Sequence, residues 1–285
     1  MFYQLRTLWS QSFYIPHPPL TEKNLPDQQG KVYLITGSNT GVGYQLCSIL
    51  YQHNAKVYIA ARTESKALSA IESIKKLHPE SKGSLHYLHL DLSDLRTIKA
   101  SAEDFMSRES KLHWLDNNAA VMVPPPGSKG AQEMDLTYQT NILGPFLFTK
   151  LLLPILKHTA DSGPKGTVRV SWAGSLAVDL QSPKGGVAWK KDNDGEEGLD
   201  ESVSNVVTYG VSKAANYFFA HEFAKRFGTR DGVLHNVSIF LISLTRSSAN
   251  IQLPPLSPSP TIRATWHPTS NDTHGANGPP LQYGY

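Results

Sequence analysis

The stretch "KVYLITGSNTGVGYQLCSILYQHNAKVYIAA" (31–61) decides the fold. "KVYLIT" is a short apolar run of β-forming residues that ends at glycines. Val42, Leu46, Ile49 and Leu50 then recur at the spacing of one helical face, and "KVYIAA" is a second apolar run. A strand, a glycine turn, an amphipathic helix and another strand in immediate succession make a βαβ unit. Two strands joined through a helix run parallel.

The alternation continues along the chain. "ESKALSAIESIKKLH" carries Leu68, Ile71 and Ile74 in helical register, "LHYLHLDL" and "LHWLDNNAA" read as strands, and "DLRTIKASAEDFMSRE" reads as the helix between them. A long helical pattern runs from Met134 to Leu156. "GTVRVSWA" is a strand, "YGVSKAANYFFAHEFAKRF" a helix and "VLHNVSIFLI" a closing strand. This pattern predicts an α/β fold, a doubly wound parallel sheet of the Rossmann kind, as a single domain over 30–245. An N-terminal extension (1–29) precedes it, and a tail rich in Pro, Ser, Asn and Gly (246–285) reads as irregular. Residues 176–205, with Pro183, Gly185, Gly186 and the run "KKDNDGEEGLDE", read as a long solvated loop.

Composition bounds the function. Of 285 residues, 40% are apolar and 18% charged, enough for a packed core. The net charge of +3 comes without a dense Lys/Arg block, so no nucleic-acid partner is expected. Cys47 is the single cysteine, which excludes an intrachain disulfide and fits a reducing, cytoplasmic setting. No metal site is expected. In "MFYQLRTLWSQSFYIPHPPL", Gln4, Arg6, Gln11 and Ser12 interrupt any signal core, and no run reaches the ~20 apolar residues of a membrane span. Phe2, Leu5, Leu8, Trp9 and Phe13 fit one face of a short helix packed on the domain, with membrane-surface contact as the alternative.

The turn "GSNTGVG" places Gly37, Ser38, Asn39, Thr40, Gly41, Val42 and Gly43 between strand and helix. Glycines there permit a tight turn and close backbone approach, and the helix N-terminus offers free N–H groups to a pyrophosphate. The spacing Gly-x-x-x-Gly-x-Gly differs from the common Gly-x-Gly-x-x-Gly, yet its place in a βαβ unit points to a dinucleotide. At the end of the second strand, "YIAARTESK" has no carboxylate before Glu64 for a ribose 2′-hydroxyl. Arg62 offers a planar fork to a 2′-phosphate and Lys66 a further positive charge, so NADP is expected before NAD.

Taken in order, "TGSNTGVG" (36–43), "DL" (91–92), "NNAA" (117–120), Asn141 in "TNILGPF", Ser175 in "VSWAGSL" and "YGVSK" (209–213) resemble a classical short-chain dehydrogenase/reductase. The likeness spans residues 31 to about 240 and is to the retinol-dehydrogenase-like branch and to oxidoreductases of fungal secondary metabolism. It implies that Asp91 and Leu92 meet the adenine and that Asn118 supports the adenosine side of the cofactor, with Ala120 where the family usually has Gly. It implies a catalytic set of Asn141, Ser175, Tyr209 and Lys213, with Tyr209 and Lys213 also touching the cofactor. A Lys one helical turn from a Tyr favours the phenolate, which lets the Tyr exchange a proton with a substrate oxygen near neutral pH. Ser175 would bond that oxygen, and Asn141, in its long helix, would hold a relay water. Adjacent serines in the family read Gly174-Ser175 here; Ser171 lies upstream, and Ser175 is preferred because it falls at the strand's end.

The expected activity is NADP-dependent interconversion of a carbonyl and an alcohol on an apolar small molecule, with a homodimer by family analogy. One departure matters. The family follows its next strand with a Pro-Gly loop against the nicotinamide and a Thr beyond it, whereas "FLISLTRSSANIQLPPLSPSP" contains no Pro-Gly-x-x-x-Thr. The C-terminus thus reads as atypical or truncated, and the alternative is a dinucleotide-binding protein that is catalytically impaired or a nonenzymatic scaffold.

Overall fold

The structure, a computed structural model, describes residues 20–191 and 195–239. Six strands form one parallel sheet: β1 (Val32–Thr36), β2 (Lys56–Ala61), β3 (Ser84–His89), β4 (Trp114–Asn117), β5 (Arg169–Gly174) and β8 (Leu234–Ile239), in the order β3-β2-β1-β4-β5-β8. Five larger helices accompany it: α1 (Gly41–Gln52), α2 (Glu64–Leu77), α3 (Leu95–Arg108), α4 (Gly144–Asp161) and α6 (Asn205–Phe223). A short α5 (Ala177–Gln181) follows β5.

Side-chain alternation along β1 shows why both faces are covered. Tyr33 and Ile35 point to one face, where Cys47 and Leu50 of α1 and Ile71 and Ile74 of α2 pack with Val57 and Ile59. Val32 and Leu34 point to the other, with Ile98 and Phe105 of α3, Phe148 and Leu152 of α4 and Phe223 of α6. Trp172 of β5 is fully buried there between Phe219 and Phe223, with ring centroids at 5.4 and 5.6 Å. Each large apolar side chain so buried contributes roughly 1.5–3 kcal/mol relative to exposure.

Strand order reverses between β1 and β4, which are paired in the register Ile35↔Asp116. In doubly wound sheets the crevice for a ligand opens at the carboxyl ends of the strands at such a switch point. The fold expectation of a single doubly wound domain holds, and several boundaries move. β3 stops at His89 because Asp91 turns the chain, accepting from the Ser93 N–H (2.9 Å) and hydroxyl (2.5 Å). The Met134–Leu156 helix is interrupted. A turn at Leu136–Tyr138, capped by the Asp135 side chain, leads into a π-helical turn (Gln139–Leu143) before α4 begins.

The expected loop at 176–205 is partly ordered. It contains α5 and an antiparallel hairpin, β6 (Trp189–Lys191) with β7 (Glu197–Leu199). Val187, Ala188 and Leu199 beside the hairpin pack with Tyr138, Ile142 and Val211, which anchors a segment whose charges face water. Of the extension expected over 1–29, residues 20–29 pack on the domain. The His53 ring bonds the Glu22 carbonyl at 2.8 Å, and Gln28 accepts from the Tyr33 hydroxyl at 2.5 Å. The amphipathic helix expected within 1–19, the 246–285 tail and the segment after Ile239 lie outside the described residues.

Candidate active site

The glycine turn and the catalytic motifs lie along one edge of the sheet, at the carboxyl ends of β1, β4 and β5. Gly37 has φ +64°, and a Cβ there would stand 2.8 Å from the Ala119 Cα, so the turn after β1 closes against the β4 turn. A Cβ at Gly43 would fall 2.6 Å from Asn118 Nδ2 and 2.9 Å from the Ser38 Cα. Gly41, with φ +62°, faces open space. Thr40, the N-cap of α1, is exposed, makes no side-chain cap bond, and the first turn holds no acidic residue. The first N–H groups of α1 are therefore left for a ligand, and the dipole there favours an anion. These features fit a dinucleotide pyrophosphate.

Asn118 donates to the Thr36 carbonyl at 2.8 Å, and the Thr36 hydroxyl links the Asp116 carbonyl (3.2 Å) to the Ala119 N–H (2.9 Å). β1 and β4 are thus stitched together where the turn needs rigidity. Ser38, expected among the cofactor-binding residues of the turn, is fully buried, and its hydroxyl donates to the Ile35 carbonyl at 2.7 Å. Its side chain is spent on holding the turn, leaving its main chain for a ligand. Leu92 is likewise buried, against Gly144 of α4. Asn39 and Val42 are half-buried at the turn. Arg62 and Lys66, past the end of β2, are exposed and form no ion pair with other described residues. Asp91 has committed one oxygen to Ser93.

Tyr209 and Lys213 lie on α6 beside the end of β5. Lys213 is 3% exposed, and its ammonium donates to the Ala173 carbonyl at 2.9 Å and sits 5.6 Å from the Tyr209 ring centroid. Burial brings its pKa down to about 8. Burial also pushes the Tyr209 hydroxyl above its ordinary value, and a hydrogen bond with Ser175 pulls against that rise. The expected lowering of Tyr209 by Lys213 is not what this arrangement produces, because the ammonium is turned to Ala173 and desolvation dominates. Of the two candidate serines, Ser175 is the one beside Tyr209. Ser171 is buried in the sheet, accepting from Trp114 Nε1 (2.8 Å) and bonding Asn236 Oδ1 (3.1 Å).

Asn141 sits in the π-helical turn, not in a regular helix, and its side chain is fully engaged. Oδ1 accepts from the Val121 N–H (2.8 Å), and Nδ2 donates to the Val121 carbonyl (2.9 Å) and the Ser212 hydroxyl (3.1 Å). Ser212 in turn donates to the Tyr209 carbonyl at 2.7 Å. The chain Val121–Asn141–Ser212–Tyr209 ties the loop after β4 to α6. Two further groups escaped the motif reading. Ser212 is internal to "YGVSK", and Asn216, three residues past Lys213, also bonds Ala173. The three-residue step on one helical face was the available signal.

Residues 31–173 match the family model described as short chain dehydrogenase. A short-chain dehydrogenase/reductase of Phomopsis amygdali is 48% identical over 237 residues, covering 82% of this chain and 68% of that protein. The short-chain dehydrogenase/reductase pkfC of Emericella nidulans is 45% identical over 215 residues, covering 75% and 67%. Among solved structures, the oxidoreductase yciK from E. coli aligns with a TM-score of 0.57 at 18% identity over 78% of each chain. A metagenomic short-chain oxidoreductase in complex with NADP aligns at 0.55 and 20% identity, over 75% of this chain and 82% of that one. These two are likenesses of fold. The chain belongs to the short-chain dehydrogenase/reductase family. It is an oxidoreductase of a family that binds a nicotinamide dinucleotide and acts on small molecules. Among the described residues no helix is long and apolar enough to cross a membrane, and no cluster of His, Cys, Asp or Glu is arranged for a metal.

Proposed function

We propose that the protein is an NADP-dependent oxidoreductase that interconverts a carbonyl and an alcohol on an apolar small molecule, in the manner of secondary-metabolite oxidoreductases. The observation that carries this reading is the Ser175–Tyr209–Lys213 group at the end of β5, on the same carboxyl edge of the sheet as the uncapped N-terminus of α1.

NADP supplies hydride transfer when bound; the remaining work falls to the chain. The N–H groups of the first turn of α1, reached past Asn39, Thr40, Gly41 and Val42, hold the pyrophosphate, and Arg62 with Lys66 meets the 2′-phosphate. Asp91 and Leu92 border the adenine, and Asn118 keeps the turn rigid from behind. Tyr209 exchanges a proton with the substrate oxygen while the Ser175 hydroxyl bonds that oxygen and steadies developing charge. The Lys213 ammonium, turned from Ala173 toward Tyr209, favours the phenolate. With its amide spent, Asn141 acts through its main-chain carbonyl as the water holder of a proton relay.

A second reading, a dinucleotide-binding protein without turnover, is favoured by the absence of Pro-Gly-x-x-x-Thr after β8. Losing a nicotinamide contact misplaces the reacting atom, which costs on the order of 100-fold in rate. One experiment separates the two: titrate NADPH and NADH into wild type and Arg62→Asp, then follow NADPH oxidation with a panel of apolar ketones. Preference for NADPH lost in Arg62→Asp, with turnover abolished by Tyr209→Phe, supports the enzyme. Equal wild-type affinity for the two nucleotides overturns the cofactor assignment, and binding without turnover supports the second reading. The homodimer belongs to the same proposal, and sedimentation velocity tests it. A reducing compartment is also proposed, on the buried, unpaired Cys47.

A further inference from the structure

Lys213 and Asn216 share one acceptor. Three residues apart on α6, they stand on one face, and both reach the Ala173 carbonyl: Lys213 Nζ at 2.9 Å and Asn216 Nδ2 at 2.9 Å. Asn216 is 4% exposed, and its Oδ1 is buried with no hydrogen-bond partner among the described residues. Exchanging the amide O and N would set two oxygens against each other at Ala173, so the chemistry fixes the orientation. The side chain that shares the Ala173 carbonyl with the ammonium therefore carries a bare acceptor, and the ammonium has three N–H donors. Tyr209 is the titratable group facing that ammonium, and burial is the resolved cause of its depressed pKa, with no carboxylate contributing.

A purely structural role explains too little. Lys213 already satisfies the Ala173 carbonyl, and a second donor matters most when the first one leaves. A buried carbonyl stripped of its donor is costly, so without Asn216 the ammonium is held where it rests. We infer that Asn216 is a positioning residue for Lys213: it keeps the Ala173 carbonyl partnered while the ammonium turns toward Tyr209, and its Oδ1 gives the ammonium a second acceptor nearby. This inference rests on the reading of Tyr209 and Lys213 as the proton-transfer pair.

The test uses the full chain labelled with 13Cε-lysine, wild type against Asn216→Leu and Asn216→Asp, with Lys213→Met to assign the resonance. Titrated without nucleotide, Lys213 is expected to move to lower pH in Asn216→Leu, which removes the acceptor. In Asn216→Asp, where a carboxylate stands beside the ammonium, it is expected to move up by about one pH unit or more. In NADPH oxidation with phenanthrenequinone as the carbonyl probe, Asn216→Leu is expected to lower kcat about tenfold, the worth of one buried hydrogen bond, with KM little changed. Thermal unfolding of each variant identifies one that fails to fold, and the other then carries the test. A Lys213 titration unmoved in a folded variant, with the kcat pH profile unchanged, overturns the role of Asn216. Full turnover by Lys213→Met instead overturns the catalytic reading beneath it, while the titration still reports on the contact.

Discussion

At the scale of single residues, the sharpest conflict between chemistry and place is Asp116. It sits on β4 between Ile35 of β1 and Ser171 of β5, 2% exposed, and burial lifts its carboxyl to about 7. Cys47, packed under the same turn, is pushed up to about 12 by burial first, with a smaller contribution from Asp116, so this thiol is inert at neutral pH. A free Asp titrates near 3.9. Below that value the carboxyl is neutral in both folded and unfolded chains and costs nothing. As pH rises to about 7 the unfolded chain ionises while the folded one does not, so stability falls progressively, by up to about 4 kcal/mol before relaxation is counted. Asp116→Asn, which is nearly isosteric, is therefore expected to raise Tm most above pH 7 and to lose that advantage toward pH 4. Calorimetry across this range checks it, and a gain independent of pH would sink the attribution. No spacing in the sequence announces this group, because "LHWLDNNAA" shows an Asp next to an Asn pair and not which sheet face it meets.

At the scale of elements, β1, its turn and α1 show what a sequence states openly. The apolar run, the glycines and the helical spacing of Val42, Leu46, Ile49 and Leu50 each follow from local rules, so the element was legible without neighbours. The glycines nevertheless differ in kind, and only the packed structure tells them apart. Gly41→Ala meets open space and bears the strain of φ +62° alone, on the order of 1 kcal/mol. Gly37→Ala adds a collision with the Ala119 backbone to similar strain. Circular dichroism melts should show Gly41→Ala folded and slightly less stable, and Gly37→Ala far more damaged; equal losses would contradict the close approach. The π-helical turn at Gln139–Leu143 lay beyond sequence reading for a related reason. Apolar periodicity from Met134 to Leu156 is compatible with one continuous helix, and the extra residue per turn is imposed by tertiary bonds from Asn141 to Val121 and Ser212. The site was legible in the same uneven way: ordered motifs marked Ser175, Tyr209 and Lys213, whereas the inward turn of Ser38 and the role of Asn216 depend on contacts made across elements.

At the scale of the whole molecule, the hairpin β6–β7 governs what the helical face can do. The proposed homodimer, by family analogy, would pair two copies through the helices that carry Asn141 and Tyr209. Here Val187, Ala188 and Leu199 lie over Tyr138, Ile142, Val207, Val211 and Ala215, and the Tyr138 hydroxyl donates to the Asp200 carbonyl at 3.3 Å. The ends of the hairpin meet, with the Asp200 N–H bonding the Ala188 carbonyl at 2.9 Å, so a short Gly-Ser bridge from Gly186 to Asp200 can replace 187–199, taking all three covering residues away without pulling on α6. Removing it uncovers a contiguous apolar stripe on a helix that otherwise stays in place, the kind of patch that recruits a partner. The shortened protein is therefore expected to self-associate at lower concentration than the full chain in light scattering. Val207→Glu in the shortened protein should reverse this by setting two like charges across the new contact. Identical mass-against-concentration curves for the full and shortened chains would show that the hairpin shields no pairing surface. In that case the charged run "KKDNDGEEGLDE" would be the plain solvated segment that its composition suggests.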